Sequence, residues 1–406
     1  MRILTISGLF PSRTSPAHGV FVLQRTKALR DAGHEVRVLA PVPWVPPVPL
    51  PARFRKLRAT PRDEVIEGLP VRHPRYFMIP KIGMYAQDRL YALGIRRAVR
   101  EAVESFDPEI LDVHYLYPDA CGVARVAKGM GLPYVCSARG SDVKTLARIP
   151  VLARRIRRAL RDAAAVIAVS RDLAETIRQR GLFDGGITVI PNGIDPDVFH
   201  PRSRSEARTL LGLPPDAPIV VCVGHLAPSH GQHLILEAFG HPETPTDAIA
   251  YLVGGGDGLE AMRREVARRD LGGRIHLPGP APHAMIPLWF AAANASLHPG
   301  SHAGCPNAVL ESLACGTPCL ASDIPEMHEV IDAERQGILV AREPAAIARG
   351  IARLLRRADS PAVRPAAPRT WAQVAGEVSD LFEAVRPVSA RSGPEPRLPR
   401  TGGARD

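Results

Sequence analysis

Short β-rich runs alternate with amphipathic segments of helix length along the chain, and this alternation restricts its fold more than any other feature. The run PIVVCVG (218–224) is strand-sized and apolar, as expected of a strand buried on both faces. Strands separated by helices are typical of parallel sheets covered on both sides. The predicted strands are 2–7, 35–40, 109–114, 133–137, 165–169, 187–190, 218–223, 248–253, 274–277, 294–298, 317–320 and 337–340. The predicted helices are one after Gly19 and those at 85–104, 119–130, 148–162, 171–180, 231–239, 257–269, 284–292, 307–315, 343–357 and 371–385.

The length of the chain predicts two domains of the α/β class. A chain of 406 residues is too long for one ordinary core, and its 45% hydrophobic content can fill two. Prolines and turn residues interrupt the periodicity between residues 190 and 218. We expect Rossmann-like, doubly wound parallel-sheet domains at 1–195 and 196–368, and then a separate helix at 369–386. The Pro-, Gly- and Arg-rich residues 387–406 are predicted to be disordered.

The sequence favours a cytoplasmic protein. Its first residues, MRILTISGLF, are predicted to form a strand, because they lack the charged leader and long apolar segment of a secretory signal. No apolar run approaches the roughly 18–20 residues that span a bilayer. The six cysteines have neither metal-site spacing nor the density of a disulfide scaffold, so buried reduced thiols are expected.

The formal net charge of +11 is concentrated in three basic stretches, at 53–58, 96–100 and 148–162. In the last of these, arginines flank the apolar side of a predicted helix. Such a stretch is either a solvated helix over the core or a face that meets anionic lipid or a phosphorylated acceptor. Nucleic acid is not an expected partner, because no recognition motif accompanies the charge.

Glycine-containing loops follow three of the predicted strands, at the sheet edge where doubly wound folds bind ligands. These loops contribute Gly19, Gly224, His225, His230, Gly231 and Gly256. The first loop leads into a helix whose free N–H groups could face an anion. The two histidines of the second loop either bond a phosphate or are ordinary surface residues. The third loop either lets a nucleotide approach the backbone or forms a tight turn, and Leu259 breaks its match to the dinucleotide fingerprint.

Glu311 is the single acid of the stretch HAGCPNAVLESLACGTP (302–318). The helix in this stretch is predicted to begin near Pro306 or Asn307, with Asn307 a plausible cap, so that several N–H groups are left for a phosphate or a sugar hydroxyl. Glu311 lies four residues further on and therefore on the same side. Its carboxylate either accepts two hydrogen bonds from a vicinal diol such as ribose or is a surface acid favoured by the helix dipole.

The order and spacing of six stretches resemble glycosyltransferase family 4, and within it the teichuronic-acid and exopolysaccharide enzymes. The stretches are FPSRTSPAHGVFVLQRTKALRDAGHEVRVLAPVP (10–43), DVHYLYPDACGVARVAKGMGLPYVCSARGSDV (112–143), AAVIAVSRDLAETI (164–177), VIPNGIDPDVF (189–199), VGHLAPSHGQHLILEAF (223–239) and CPNAVLESLACGTPCLASDIPE (305–326). The resemblance implies the two-domain GT-B fold and transfer, with retention, of a sugar from a nucleotide-diphosphate donor. It also implies no metal and no other cofactor, and a final segment from Trp371 that crosses back onto the first domain.

The resemblance also implies roles for individual residues. The donor-binding residues that we expect are Gly19, Gly224, His225, His230, Gly256, Asn307, Ala308, Val309 and Glu311. The acceptor-side residues that we expect are His114, Tyr117, Arg139, Ser141 and Asp142. Asn192 and Gly193 match a turn between the domains. No side chain is implied as a covalent catalyst; the leaving diphosphate takes the acceptor proton, and His225, His230 and Arg139 are candidates for stabilising its charge.

The chain departs from the family pattern at the proposed site. His225 and His230 stand where the family has Arg and Lys, Ala303 where it has a glutamate, and Cys305 where it has an aromatic residue. A neutral imidazole stabilises a leaving diphosphate less than a fixed cation does, although the bound anion would raise the histidine pKa values. The loss of one such contact is expected to cost on the order of 10²-fold in rate. We therefore expect activity that is slow, pH-dependent or lost altogether.

The expected function is sugar transfer to a glycan or lipid-linked acceptor at the cytoplasmic side of the membrane, in the synthesis of cell-surface polysaccharide or glycolipid. The acceptor class rests on the basic stretches and on the apolar segment 76–93, which is equally compatible with core. One alternative is a non-catalytic scaffold that binds a nucleotide sugar or partners an active transferase. Another is a different GT-B reaction, such as epimerisation of a nucleotide sugar.

Overall fold

The computed structural model of the chain describes residues 1–48, 52–79, 83–302, 304–333, 335–356 and 368–386. Ala303 and the predicted disordered tail at 387–406 lie outside the described residues. Within the described part, no helix is long and apolar enough to cross a bilayer.

The first sheet lies in the amino-terminal half of the chain, and its described strands have the order β10-β9-β8-β7-β1-β2-β5-β4. The strands of this half are β1 Arg2–Ile6, β2 Glu35–Leu39, β3 Val42–Pro43, β4 Asp63–Ile66, β5 Leu69–Arg72, β6 Arg75–Tyr76, β7 Ile110–His114, β8 Tyr134–Ala138, β9 Ala165–Ala168 and β10 Ile187–Val189. The helices are α1 Val20–Asp31, α2 Ala52–Ala59, α3 Gln87–Phe106, α4 Cys121–Ala127, α5 Ser141–Lys144, α6 Pro150–Asp162 and α7 Arg171–Gln179. All pairings in the sheet are parallel except β4 with β5, and β3 pairs with β6 in a separate ribbon.

The second sheet has the order β13-β12-β11-β14-β15-β16, with every pairing parallel. Its strands are β11 Ile219–Val223, β12 Ile249–Val253, β13 Ile275–Gly279, β14 Ala295–His298, β15 Cys319–Ser322 and β16 Gly337–Val340. The helices of this half are α8 Arg204–Leu211, α9 Gln232–Phe239, α10 Leu259–Arg268, α11 Ile286–Ala292, α12 Asn307–Ala314, α13 Pro325–His328 and α14 Pro344–Arg356. The strand order is the 3-2-1-4-5-6 order of a doubly wound nucleotide-binding fold, which places a crevice beyond the carboxyl ends of β11 and β14.

The predicted fold class is confirmed. Helices cover both faces of two parallel sheets, which explains why central strands such as β7 and β8 are buried at every position. The apolar runs that predicted these strands supply the buried side chains of the two cores.

The strands and the helix between residues 42 and 76 were not predicted from the sequence. β4 and β5 form an antiparallel hairpin whose turn residues, Glu67 and Gly68, both have positive φ (50° and 79°). A two-residue turn with both residues at positive φ joins antiparallel strands, so the Glu-Gly pair between EVI and LPV was a usable signal. Helix α8 was also missed, because its residues fall between 190 and 218, where prolines and turn residues interrupt the periodicity.

The last described helix, α15 Trp371–Val385, packs on the first domain. Its buried side chains share a core with residues of β1 and α1, and this core includes Val374, Ala375, Val378 and Phe382. The two chain segments that join the domains also touch each other, since Ile194 donates its N–H to Arg369 O at 2.7 Å. A Cβ on Gly193 would lie 2.5 Å from the nitrogen of Trp371. The domain boundaries at 195 and 368 remain predictions.

Candidate functional site

The two sheets direct their ligand-binding edges at one cleft. Arg139 follows the end of β8 in the first domain, and Gly304 lies in the loop after β14 in the second. These loops touch, because a Cβ on Gly304 would lie 1.7 Å from the carbonyl oxygen of Arg139. The cleft is therefore closed at this point by backbone against backbone.

A buried ion pair lies under the first-domain side of the cleft. Arg25 is on the buried face of α1, and its Nη2 donates to Asp112 Oδ1 on β7 at 2.9 Å. The side chains are 2% and 0% exposed, respectively. Nη1 of Arg25 also donates to Ser137 Oγ on β8 at 2.8 Å. Burial alone raises the pKa of Asp112, but attraction to Arg25, His114 and Arg139 outweighs it and brings the pKa to about 2.

His114 lies within this buried network, beneath the cleft surface. Its Nε2 is 2.9 Å from Asp112 Oδ2, and its Nδ1 is bonded to a guanidinium nitrogen of Arg139. Burial lowers the pKa of His114 to about 3, so the ring is neutral at ordinary pH. Because guanidinium can only donate, we assign the single ring proton to Nε2, where it is donated to Asp112. Both ring nitrogens are therefore hydrogen-bonded. In this conformation His114 bonds Arg139 and has no ring nitrogen free for the sugar acceptor.

Arg139 continues the network into the second domain. Its Nη1 donates to Asn192 Oδ1 at 3.0 Å, and Asn192 Nδ2 donates to Asn307 Oδ1 at 2.8 Å. Burial and the charge of Arg25 lower the pKa of Arg139 to about 9, which leaves it protonated at neutral pH. A continuous chain of hydrogen bonds thus joins α1 of the first domain to the start of α12 in the second.

The predicted cap of α12 is wrong in detail. Pro306 occupies the cap position, Asn307 is the first helical residue, and no side chain caps this helix. The side-chain amide of Asn307 instead accepts a hydrogen bond from Asn192. The presence of an asparagine at this position is thus explained without a capping role. The N–H groups of Asn307 and Val309 bond Cys305 O and Pro306 O, both at 2.9 Å. An anion bound to these two N–H groups would compete with the carbonyl oxygens of the two turns.

Asp142 organises the loop after β8 from within. Its buried carboxylate accepts the N–H groups of Gly140 at 2.8 Å, Leu116 at 2.9 Å and Val143 at 3.1 Å. Burial raises its pKa despite these bonds. Ser141 is exposed at the loop surface, where its hydroxyl is 2.7 Å from that of Tyr115.

Tyr117 is also held from within, because its ring is buried and its hydroxyl donates to Met84 O. Of the predicted acceptor-side residues, Ser141 is exposed, whereas Asp142, His114 and Tyr117 lie beneath the surface.

The glycines of the predicted donor site bring loops into close contact. Gly231 is the N-cap of α9 with φ 75°, and a Cβ there would lie 2.0 Å from Pro299 O. Gly256 has φ 143°, and its Cβ would lie 2.8 Å from Cε1 of His225. Gly19 has φ 68° and approaches Leu9 O of its own loop, where a Cβ would be 2.3 Å away. Gly224, at φ 149°, has open space beside it.

His225 and His230 lie together on the exposed side of these loops, with ring centroids 6.1 Å apart. Nδ1 of His230 is 2.5 Å from the carbonyl oxygen of His225, so it is the donor and Nε2 remains available to a ligand. Burial, and then the neighbouring His230, lower the pKa of His225.

Two further histidines, which were not predicted from the sequence, belong to this group. His18 acts electrostatically on His225, and His302 does so with His230. Burial lowers the pKa of both, followed for His302 by the charge of Lys144. Ser301 donates its N–H to Ser229 O at 3.0 Å, which fixes the His302 loop beside the His230 loop. Two features of the sequence could have identified them: His18 directly precedes Gly19, and His302 lies in the loop before Asn307.

Glu311 lies one turn into α12 with 18% of its side chain exposed. Its Oε1 is 3.7 Å from Nε2 of His283, whose ring meets the edge of Phe199 at a centroid distance of 5.4 Å. The carboxylate is therefore partly buried without a close hydrogen bond to His283, an arrangement that leaves it able to accept bonds from a diol.

An ionic cluster joins the domains at a second place. Lys144 pairs with Asp172 at 2.6 Å within the first domain and with buried Glu326 of α13 in the second. Glu329 accepts the N–H groups of Arg171 and Asp172, at 2.9 and 2.8 Å, at the start of α7. None of these residues was predicted from the sequence to have a role. No group of three or more potential metal ligands occurs in the described part of the chain.

Two family models match consecutive parts of the chain. Residues 18–198 match "Glycosyltransferase Family 4", and residues 203–365 match "Glycosyl transferases group 1". Together they cover the second sheet and all strands of the first sheet except β1.

The sequence is also similar to individual proteins named as glycosyltransferases. The chain is 27% identical over 359 residues to the putative teichuronic acid biosynthesis glycosyltransferase TuaC of Bacillus subtilis, covering 87% of this chain and 89% of that protein. It is 28% identical over 229 residues to D-inositol 3-phosphate glycosyltransferase 2 of Catenulispora acidiphila, covering 52% and 54%.

Solved structures share the fold. Sucrose-phosphate synthase of Thermosynechococcus elongatus superposes with a TM-score of 0.74 at 18% identity, covering 97% of this chain and 100% of that one. HepE of Anabaena, in complex with UDP-glucose, superposes with a TM-score of 0.71 at 18% identity, covering 95% and 100%. The chain belongs to glycosyltransferase family 4 and has the two-domain GT-B fold.

Proposed function

We propose that the protein is a retaining glycosyltransferase that moves a hexose from a nucleotide-diphosphate sugar to a glycan or lipid-linked acceptor in cell-surface polysaccharide or glycolipid synthesis. The observation that carries the proposal is the hydrogen-bonded chain from Arg139 through Asn192 to Asn307. It fixes a protonated guanidinium beside the start of α12, in the cleft that also holds His225 and Glu311. The HepE structure contains UDP-glucose and TuaC is named for teichuronic acid, which supports this donor and acceptor class.

In the proposed mechanism the protein positions two substrates and stabilises negative charge. His225 and His230 receive the diphosphate, Glu311 binds the ribose hydroxyls, and Arg139 adds positive charge from the first domain. The leaving phosphate oxygen takes the proton of the acceptor hydroxyl. Attack must then come from the face that the leaving group occupies, so the anomeric configuration is retained. No metal and no other cofactor has a role in this proposal.

A panel of UDP- and GDP-hexoses, with and without lipid-linked acceptors, tests the proposal. We expect nucleotide release that depends on the acceptor and continues in EDTA, and a product whose anomeric proton coupling matches that of the donor. Inversion would contradict the mechanism. Tight nucleotide binding without turnover on any pair would favour the scaffold alternative and contradict the proposed activity.

Donor affinity is expected to fall as the pH rises from about 6 to about 8. In the free protein burial, His230 and His18 lower the pKa of His225, whereas Asp257 raises it. Bound diphosphate favours the charged imidazole and raises its pKa, so binding takes up protons. Affinity then strengthens as the pH falls, by up to about tenfold per pH unit for each proton taken up. Calorimetric titration of the protein with UDP and GDP across this range measures the effect.

The matched variant for this measurement is His225→Arg with His230→Lys, which installs fixed cations. It should bind more tightly and show a flatter profile, because neither new side chain titrates between pH 6 and 8. A flat profile for the unaltered protein would show that the histidines do not bind the diphosphate.

Gly304→Ala is expected to hinder closure of the cleft. Its Cβ would lie 1.7 Å from Arg139 O, so the two domains must move apart to admit it. Displacements of about 1 Å can cost about 10²-fold in turnover. Small-angle scattering should show a larger radius of gyration, and nucleotide release should slow.

Gly376→Ala is the control for Gly304→Ala, since a Cβ there meets open space on α15. It should change neither the radius of gyration nor the turnover. Equal behaviour of the two variants would mean that the contact at Gly304 does not limit closure.

A further inference from the structure

Helix α13 of the second domain, together with the residue that follows it, bonds to the first domain at two places. Glu326 of this helix is 1% exposed and pairs with Lys144, the last residue of α5. Glu329, directly after the helix, accepts the N–H groups of Arg171 and Asp172 at 2.9 and 2.8 Å. We call Lys144, Asp172, Glu326 and Glu329 the clamp.

Glu329 completes the cap of a helix that belongs to the other domain. The first N–H groups of a helix have no partner within the helix. In α7, Ser170 accepts the N–H of Leu173 at 3.2 Å, a bond within the first domain. The N–H groups of Arg171 and Asp172 are bonded to Glu329 instead, whose carboxylate lies at the positive end of the helix dipole. The cap of α7 is therefore complete when the two domains are in contact.

Asp172 joins the two contacts into one network. Its N–H donates to Glu329, and its Oδ2 is 2.6 Å from Nζ of Lys144. The same Nζ pairs with Glu326. Because the contacts share Lys144 and Asp172, the loss of one of them should weaken the other.

The clamp adjoins residues on both sides of the cleft. Lys144 ends the short helix α5, which begins with Ser141, the exposed residue of the predicted acceptor side. On the donor side, burial and then the charge of Lys144 lower the pKa of His302, whereas Glu326 raises it. The clamp thus bonds the acceptor-side loop to the second domain near the loop that contains His302.

Water can replace the bonds of the clamp. The carboxylate of Glu329 is exposed, and the side chain of Lys144 is 16% exposed. Ion pairs and hydrogen bonds near solvent are weak, because hydration of the separated groups competes with the contact. The clamp is therefore able to separate and to form again as the cleft opens and closes.

We propose that the clamp positions the acceptor-side loop against the donor domain during sugar transfer and separates when substrates are exchanged. Lys144, Glu326 and Glu329 are positioning residues, since they act through α5 and α7 rather than on a reacting atom. A displacement of about 1 Å between the two substrates can cost about 10²-fold in rate, so the register of the two domains matters for turnover. The inference rests on the transfer reaction of the proposed function, although formation of the clamp is measurable without turnover.

Amide hydrogen exchange of the full chain, with and without UDP, measures formation of the clamp. The amides of Arg171 and Asp172 should exchange slowly when UDP is bound. Glu326→Gln keeps the shape of the side chain but removes the charge that faces Lys144, and it should speed exchange of both amides about tenfold. The substitution changes neither the donors nor the acceptor of the observed bonds, so the effect must pass through the network.

Asp323→Asn is the matched control for Glu326→Gln. Asp323 directly precedes α13, is exposed and pairs with His328 of the same domain at 2.6 Å. This variant should leave the amides of Arg171 and Asp172 protected. The amide of Leu173, which is capped within the first domain, should exchange equally in all three proteins, because α7 itself stays folded.

Steady-state kinetics separate positioning from a merely structural role. Glu326→Gln should lower kcat about tenfold and leave the KM of the donor and the affinity for UDP within about twofold, because the proposed donor contacts belong to the second domain. Lys144→Met should lower kcat in the same way, whereas Lys144→Arg keeps the charge and should retain most of the activity. Asp323→Asn should have the kcat of the unaltered protein.

Two results would overturn the inference. One is rapid exchange of the Arg171 and Asp172 amides in the unaltered protein, whether or not UDP is bound. The other is a Glu326→Gln variant with the amide exchange or the kcat of the unaltered protein. Absence of turnover in an unaltered protein whose amides are protected would instead contradict the proposed function, and UDP affinity on the same samples would show whether donor binding had failed.

Discussion

Asp112→Ala is expected to lower the free energy of unfolding by about 3–5 kcal/mol, the usual cost of removing one partner from a buried ion pair. Arg25, 2% exposed, would keep its charge in the core without the carboxylate that balances it. His114 would also lose the acceptor of its Nε2 proton. Because His114 in turn holds Arg139, the damage should extend to the cleft.

Urea unfolding followed by circular dichroism measures this loss. The control is Asp31→Ala, which removes an Asp from an Arg–Asp pair of nearly the same length, 2.8 Å, whose carboxylate is 60% exposed. That change should cost less than about 1 kcal/mol, because solvent screens the exposed pair. Asp112→Asn keeps an oxygen for Arg25 and should fall between the two. Equal losses at Asp112 and Asp31 would show that the buried network does not support the fold.

The fold was predictable where apolar periodicity is strong. The strand predicted at 218–223 is found at Ile219–Val223, and the helix predicted at 231–239 at Gln232–Phe239. Both are buried by their own domain, so the local pattern and the tertiary environment agree. The hairpin of β4 and β5 was missed because its strands have four residues each and β4 is the edge strand of the sheet. Short edge strands carry little apolar signal.

The loops of the candidate site were predictable from the sequence, but the hydrogen bonds that connect their residues were not. Motif matches singled out Arg139, Asn192 and Asn307, yet nothing in the sequence linked them to each other. Arg25 occurs in LQRTKALRD near Arg30, and the two are equivalent as sequence. Only the packing of α1 on β7 makes one of them buried and the other a surface residue. The chemistry of a buried charge is set by tertiary contacts, which a single sequence does not show.

Glu311→Gln is expected to lower kcat/KM for the donor by about 10- to 100-fold, almost all of it in KM. A hydrogen bond to a charged group contributes about 1.5–3 kcal/mol, and the amide keeps the shape of the side chain but not its charge. Ribose does not react, so its contacts are equal in the ground and transition states and act on binding rather than kcat. The nearest ionic neighbour of Glu311 is His283, at 3.7 Å, so the substitution should leave the fold intact. UDP affinity should fall by the same factor, and the KM of the acceptor should not change.

A double-mutant cycle with the nucleotide separates ribose binding from a surface role. The unaltered protein should bind 2′-deoxy-UDP more weakly than UDP, and Glu311→Gln should bind the two almost equally, because the lost hydroxyl and the lost carboxylate belong to one interaction. Glu260→Gln on α10, whose acid pairs with Arg263 at the surface, provides the control and should keep the full preference for UDP. A surface acid favoured only by the helix dipole would give the opposite pattern: both variants would keep the preference, and the ribose would have to be bound elsewhere in the cleft.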